Sequence, residues 1–447
     1  MPSPHRRPPP RMMPTAAPRG RRPHLAPRDN GVPSLIRGAA VLFVAVVLVT
    51  SCAPAQPPAP PPGSDTVTIK TFTPPFDGKP RLPPPDMNDD GPGSLVSVEP
   101  MSGSELLNQD DATYMRVVYR STSGVDGSPT EVSGAVAIPP GDPPKGGWPI
   151  LAFGQGTKGV LNKCASSLYG SLPLNAWTMS VFVRSGFLVT VSDFQGAGVE
   201  GYQHPFLNAK TYGYNVIDSV RAAQRVGAET SDRWLSYGHS AGGLAVWAAA
   251  EQAPTYGQGL DLLGTVSMAP AADMSGLADA AWEGTLTPDQ RVTLVFALQS
   301  LKWFNPEMNL DNYRRGTTAE NWDQLLDCIP PNFDDIARVR GLMTNEDLRP
   351  ATYEDVVWLR ERLAEIAVPQ APNTTPMVVG YGTQDMLVNQ SWFEQALDRA
   401  CAMGSYIEIR KGPGKGHADL DSGFTLPWLM DRLDGADPPP NDCLSRN

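Results

Sequence analysis

From about residue 95 the chain alternates between two apolar patterns. Short apolar or alternating runs at 114–119, 131–138, 148–153 and 186–193 read as strands, with 124–129 as the turn between the first two. A helix with Val216, Ile217, Val220, Ala223 and Val226 on one face follows, then a strand ending at Tyr237, an Ala-rich helix and a strand over 262–268. Strands and helices alternating in this way predict an α/β fold with a mostly parallel sheet and helices on both faces. Between about Pro270 and Val368 the rhythm breaks. Every apolar pattern there is helical, over 291–303, 322–326, 333–342 and 353–366. Strands return at 375–381 and 406–410, and a helix over 425–433 follows them. The interval predicts a helical cap inserted over the sheet's carboxyl edge, with a core at 95–269, a cap at 270–369 and a second core part at 370–436. One cap helix, carrying Val292, Leu294, Val295, Phe296 and Leu298, is apolar nearly all round. It reads either as buried between cap and core or as a wall facing an apolar substrate.

The start of the chain follows other rules. Residues 1–37 carry eight arginines against one acid, Asp29, and an uncharged apolar run over 38–51 ends at Cys52. That run is shorter than the roughly 20 residues a spanning helix needs. A basic region, a short apolar core and a small final residue predict an export signal over 1–51. Val49-Thr50-Ser51-Cys52 resembles the lipobox of bacterial lipoproteins, which makes Cys52 the candidate lipidation site and the membrane a candidate partner. Simple secretion and an uncleaved anchor are the alternatives, and Met12 and Met13 are candidate starts. Residues 52–94 are rich in proline and thin in apolar residues, and read as a disordered stalk.

Without residues 1–51 the net charge moves from −11 to about −18, which argues against nucleic acid or anionic head groups as partners. Four cysteines remain after Cys52: Cys164, Cys328, Cys401 and Cys443. An even count in an exported chain implies disulfides with three possible pairings, and no Cys-x-x-Cys spacing supports a metal site.

The chemistry centres on Gly238-His239-Ser240-Ala241-Gly242, placed between the strand ending at Tyr237 and the Ala-rich helix. A serine at so sharp a strand-to-helix turn needs small neighbours, and the helix N-terminus behind it suits a developing oxyanion. Serine needs a base, and the base needs an orienting group. After the export signal only His204, His239 and His417 remain. His239 adjoins Ser240 and should point away from it into packing; His204, beside Pro205, reads as a surface or structural residue. Only His417 fits the order serine, acid, histidine. Asp385, in the loop after the strand at 375–381, is the candidate acid; Asp419, two residues from the histidine, is the alternative. The amides of Ala241 and Thr157 are the candidate oxyanion donors, with Gly156 permitting close approach. Gly154-x-Gly156-x-x-Gly159 matches a dinucleotide fingerprint in letters alone, since no helix opens at once and 164–175 holds no acid. No cofactor and no metal are expected.

Together, Gly238-His239-Ser240-Ala241-Gly242-Gly243, Gly156-Thr157-Lys158-Gly159 with Cys164-Ala165-Ser166, Ser192-Asp193-Phe194-Gln195-Gly196-Ala197-Gly198, the stretch 380–385 and Gly416-His417 resemble the secretory lipase family of the α/β-hydrolase superfamily over about residues 95–435. The resemblance implies a cap before the acid-bearing strand, activity on carboxylic esters including acylglycerols, no cofactor, and the pairings Cys164–Cys328 and Cys401–Cys443. Many relatives carry His where Gln155 stands, a departure within the oxyanion loop. The expectation is an exported or surface-anchored serine ester hydrolase, lipase-like, acting on a lipid or other small ester. A short-chain carboxylesterase, a peptidase on the same fold and a non-catalytic lipid-binding lipoprotein are the alternatives. Oligomeric state is not read from the sequence.

Overall fold

The computed structural model describes residues 82, 84–101, 111–328 and 333–446. The export signal, Cys52 and most of the stalk lie outside the described residues. The stalk's last residues are already attached to the core: the Asp86 amide donates to the Arg225 carbonyl at 2.8 Å, and Gly93 lies so close to Arg221 that a Cβ there would sit 2.2 Å from it.

Nine strands form one sheet. In chain order they are β1 (Leu95–Pro100), β2 (Thr113–Thr122), β3 (Pro129–Ile138), β4 (Trp148–Gly154), β5 (Leu188–Ser192), β6 (Thr230–His239), β7 (Asp261–Met268), β8 (Met377–Gly382) and β9 (Ile407–Gly412). Their spatial order is β1-β2-β3-β5-β4-β6-β7-β8-β9. The first three strands are antiparallel and β3 meets β5 antiparallel. Every later neighbour pair is parallel. β6 therefore runs through the interior of the parallel part, and the carboxyl ends of β6, β8 and β9 open on one edge.

Helix α1 (Ala176–Arg184) precedes β5, α2 (Ala209–Ala223) precedes β6, and α3 (Ala241–Tyr256) leaves β6. Between β7 and β8 come α4 (Leu277–Glu283), α5 (Pro288–Phe304), α6 (Gly316–Glu320), α7 (Trp322–Leu325), α8 (Phe333–Leu342) and α9 (Tyr353–Glu365), the predicted cap. Then α10 (Gln390–Ala402) links β8 to β9, and α11 (Thr425–Leu433) follows β9. Alternation along the strands sets the layers. On β4, Ile150 and Ala152 join the buried cluster that holds α2 and α3, whereas Leu151 and Phe153 join Met179, Phe182, Trp428 and Leu429 from α1 and α11. Burial on both faces is why the central strands read as continuous apolar runs.

Local signals set the helix bounds. α5 begins at Pro288, earlier than the apolar spacing suggests, because Thr287 and Gln290 form a capping box around a proline at the first turn. The same two residues pin the helix to the core: Thr287 Oγ1 donates to the Met386 carbonyl at 2.8 Å and Gln290 Nε2 to the Leu387 carbonyl at 3.1 Å. Further along, Leu294, Val295, Phe296 and Leu298 are buried. Both cysteine pairs close as the resemblance implied, Cys164 with Cys328 and Cys401 with Cys443. The first ties the segment after β4 to the cap.

Candidate active site

β6 delivers His239, and Ser240 follows at φ 59°, ψ −123°, outside the helical and strand regions. Neighbouring chain holds it there. The Ser240 amide donates to the Met268 carbonyl at 2.9 Å, and its carbonyl accepts from Ala271 at 3.2 Å. The turn needs bare backbone on three sides. A Cβ on Gly238 would lie 2.1 Å from the Gly242 carbonyl oxygen, one on Gly242 1.9 Å from that of Gly154, and one on Gly154 2.4 Å from that of Gly242. At Gly156 a Cβ would meet only the His239 carbonyl, at 3.7 Å. Within the chain the close approach in this loop thus belongs to Gly154, two residues before the glycine that the sequence suggested.

The predicted trio converges across the carboxyl edge. Ser240 Oγ donates to His417 Nε2 at 2.9 Å, and His417 Nδ1 donates to Asp385 Oδ2 at 2.7 Å. Asp385 follows β8, and its other oxygen accepts the amides of Leu387 at 2.8 Å and Val388 at 2.9 Å. Its side chain is 4% exposed and that of His417 18%. With Nδ1–H committed to the carboxylate, Nε2 is left bare to take a proton. Asp419, the alternative acid, is exposed and accepts the Gly416 amide instead.

His239 departs from the sequence reading. Rather than packing away from the site, it stands edge-on to His417 with ring centroids 5.0 Å apart. Its Nε2–H donates to the His417 carbonyl at 2.8 Å. Burial, and then the neighbouring His417, push its pKa down. His239 therefore stays neutral and fixes the backbone that carries the candidate base. His239 is the last residue of β6 and shares a face with Tyr237, two residues back, which also lines the space over Ser240.

His204 is structural. It is buried, Nδ1–H donates to the Gln195 carbonyl at 2.7 Å, and Nε2 accepts the Tyr212 hydroxyl at 2.8 Å. Burial lowers its pKa to about 4.

The oxyanion loop is held by the residue that marked the departure. Gln155 is buried, donates to the Ser192 carbonyl at 2.7 Å, and accepts from Ser166 at 2.9 Å and Asn175 at 2.7 Å. Four segments meet on that amide, which fixes the path of Gly156 and Thr157. Together with Ala241, these two residues line a small hollow of about 20 Å³ that reaches back to Asp193 and His204. The Ala241 amide opens α3, where no earlier turn of helix accepts it. After this loop come short 3₁₀ turns, Asn162–Cys164 and Ser166–Leu168, where a dinucleotide fold would place a long helix.

A cavity of about 890 Å³ opens over Ser240 and His417. Phe153, Tyr237 and Leu174 line its core side, and Val292, Thr293 and Phe296 of α5 with Ala337 and Gly341 of α8 line its cap side. One side of the apolar helix, with Val292, Thr293 and Phe296, walls the cavity, and the other, with Leu294, Val295 and Leu298, is buried. Among the described residues no group of three or more His, Cys, Asp or Glu could hold a metal ion, and no helix is long and apolar enough to cross a membrane.

A family model for secretory lipases matches residues 171–441, more than half of the chain. A Mycobacterium tuberculosis protein named a probable inactive lipase is 25% identical over 344 residues, covering 72% of this chain and 74% of that one. Candida antarctica lipase A in its closed state superposes with a TM-score of 0.64 at 17% identity, over 78% of this chain and 84% of that one. The rice cell wall degrading esterase LipA of Xanthomonas oryzae, in a ligand-bound form, gives 0.60 at 18% identity, over 77% and 97%. At such identities the likeness to solved structures establishes the α/β-hydrolase fold.

Proposed function

The chain belongs to the secretory lipase family, and from that premise we propose that it is an exported serine ester hydrolase acting on lipid esters. Ser240 Oγ attacks the ester carbonyl while His417 Nε2 takes its proton, and Asp385 steadies the imidazolium that forms. The amides of Ala241 and Thr157 receive the oxyanion. His417 returns the proton to the leaving alcohol, and water, activated by the same imidazole, releases the acid. The observation that carries this reading is the hydrogen-bond chain from Ser240 through His417 to Asp385. Export is supported by the family's secretory character and by two disulfides. The lipobox-like Val49-Thr50-Ser51-Cys52 supports anchoring through Cys52.

A second reading, a non-catalytic lipid binder, draws on the relative named as a probable inactive lipase. Fluorophosphonate labelling separates the two. The folded protein should take up one probe, lost in Ser240→Ala, and should hydrolyse p-nitrophenyl esters into the long-chain range. Folded protein that neither labels nor turns over any ester is a binder. Turnover confined to acetyl and butyryl esters makes it a short-chain carboxylesterase.

A further inference from the structure

The cavity over Ser240 carries a charge that the whole chain hides. Four charged side chains other than the histidines line it: Lys158 from the oxyanion loop, Asp289 and Arg291 from α5, and Arg340 from α8. Three cations face one carboxylate, inside a protein whose net charge is −11. The guanidinium groups are also short of acceptors. Arg340 Nε and Nη2 and Arg291 Nε are buried with no hydrogen-bond partner among the described residues. Arg291 Nη1 reaches only long contacts, 3.3 Å to the Leu286 carbonyl and 3.4 Å to Asn345 Oδ1. Other half-buried arginines sit on carboxylates, Arg221 on Asp218 at 2.7 Å and Arg314 on Asp311 at 3.0 Å, and among the described residues Arg340 is the arginine with a buried unpartnered Nη as well as Nε.

A buried charged N–H without an acceptor has lost its water and gained nothing in return, and a ligand that supplies the acceptor recovers that loss. A wholly apolar acyl chain would cover these groups and leave them unsatisfied. An oxyanion would satisfy them, because the guanidinium fork matches the paired oxygens of a carboxylate or phosphate. The face of Phe296, 6.0 Å beneath the Arg340 guanidinium, holds that group over the cavity without supplying an acceptor.

We propose that the ester cleaved at Ser240 carries a second, anionic group, a carboxylate or phosphate, seated between Arg340, Arg291 and Lys158. This rests on the hydrolase reading above and adds the substrate's charge to it. Asp289 lies beside Arg340 and leaves the pocket's net charge positive. Lys158 strengthens the preference where it is charged; burial brings its pKa down to about 8, so the lysine's share fades above that pH.

The test compares esters matched in acyl length. p-Nitrophenyl hexanoate is the neutral member, mono-p-nitrophenyl adipate carries a terminal carboxylate, and p-nitrophenyl 6-phosphonohexanoate carries a phosphonate in place of a phosphate. We expect kcat/KM to favour at least one anionic ester by about 10–100-fold, the worth of a charge-assisted contact. The favoured ester identifies the anion. Raising the salt concentration should shrink the ratio. In Arg340→Gln the anionic-to-neutral ratio should fall by about tenfold, mainly through KM, whereas Arg340→Lys should keep most of it. Arg291→Gln supplies a second reading should Arg340→Gln fold poorly. A wild-type preference for the hexanoate over both anionic esters, or a ratio that survives both glutamine variants, overturns the proposal. In either case hexanoate turnover and Ser240 labelling still stand for the hydrolase itself. Loss of all labelling and turnover in the wild type would instead remove the hydrolase reading and this one with it.

Discussion

Two walls face each other across one cavity, and they are finished to different degrees. On the sheet side the three side chains of the candidate chemistry are held by partners before any ligand arrives. Asp385 accepts two amides and an imidazole, His417 is held at both ring nitrogens and at its carbonyl, and Ser240 is pinned through its amide and carbonyl. On the cap side buried N–H groups of Arg340 and Arg291 lack acceptors among the described residues. Groups fixed before substrate arrives need no reorganisation during reaction, so the sheet side is built for the chemical step. Groups left open gain most from a ligand that completes them, so the cap side is built to choose. Changes on the sheet side should therefore lower turnover of every ester alike, and changes on the cap side should alter which ester is turned over.

The sharpest way to break that division is Asp385→Asn. The amide nitrogen cannot accept Nδ1–H as the carboxylate does, and the imidazole loses both its tautomer and the charge that steadies it. We expect kcat to fall by about 10⁴-fold for neutral and anionic p-nitrophenyl esters together, with Ser240 labelling slowed in parallel. A loss confined to one class of ester would mean that Asp385 helps to select substrate, and the contrast between the walls would go.

The same contrast separates what could be read in the sequence from what could not. Ser240, Asp385 and His417 were legible because the elbow needs glycine at 238 and 242 whatever surrounds it, because few histidines compete, and because the acid follows a strand of clear pattern. The cap helices were legible as helices through their periodicity. Two helices were not read: α1 has nine residues with valine and threonine in its sequence, and α10 was passed over although Asn389 caps its start and Gly404, at φ 89°, follows its end. The meeting of Lys158, Arg291 and Arg340 depends on three segments far apart in the chain, and no local pattern announces it. Net charge pointed the other way, since it counts the surface and says nothing of a cavity. His239 was misjudged because it adjoins Ser240 and the two side chains were expected to point apart, whereas across the positive φ of Ser240 both reach His417.

Cys164–Cys328 joins the two walls directly, spanning 164 residues. Replacing both by serine should cost about 4 kcal/mol of stability by relaxing a long closed loop in the unfolded chain. Thermal denaturation under non-reducing conditions measures it. Because the bond ties the segment after the oxyanion loop to the cap, the anionic-to-neutral ratio should drop further than turnover of the neutral ester. Equal losses would show the cap keeping its place without the bond.

The smallest effect comes from the junction beneath the cap. Ser300 of α5 donates its hydroxyl to the His204 carbonyl at 3.0 Å and accepts the Phe206 amide at 2.8 Å, so the loop bearing His204 anchors a cap helix. His204 is held neutral, with a folded pKa near 4 against about 6.5 for an open histidine. Between these values the unfolded chain binds a proton that the folded chain refuses. Stability is therefore whole above pH 6.5 and falls as pH drops towards 4, by at most about 1.4 kcal/mol per pH unit from this group. Urea denaturation of the wild type and of His204→Gln at pH 7, 6 and 5 isolates the term, since other groups titrating in this window are common to both proteins. The wild type should lose stability more steeply by up to one proton's worth, although the variant is the less stable of the two at pH 7. Parallel slopes would mean that His204 can take its proton without leaving the fold, and the anchor under α5 would then be looser than its hydrogen bonds imply.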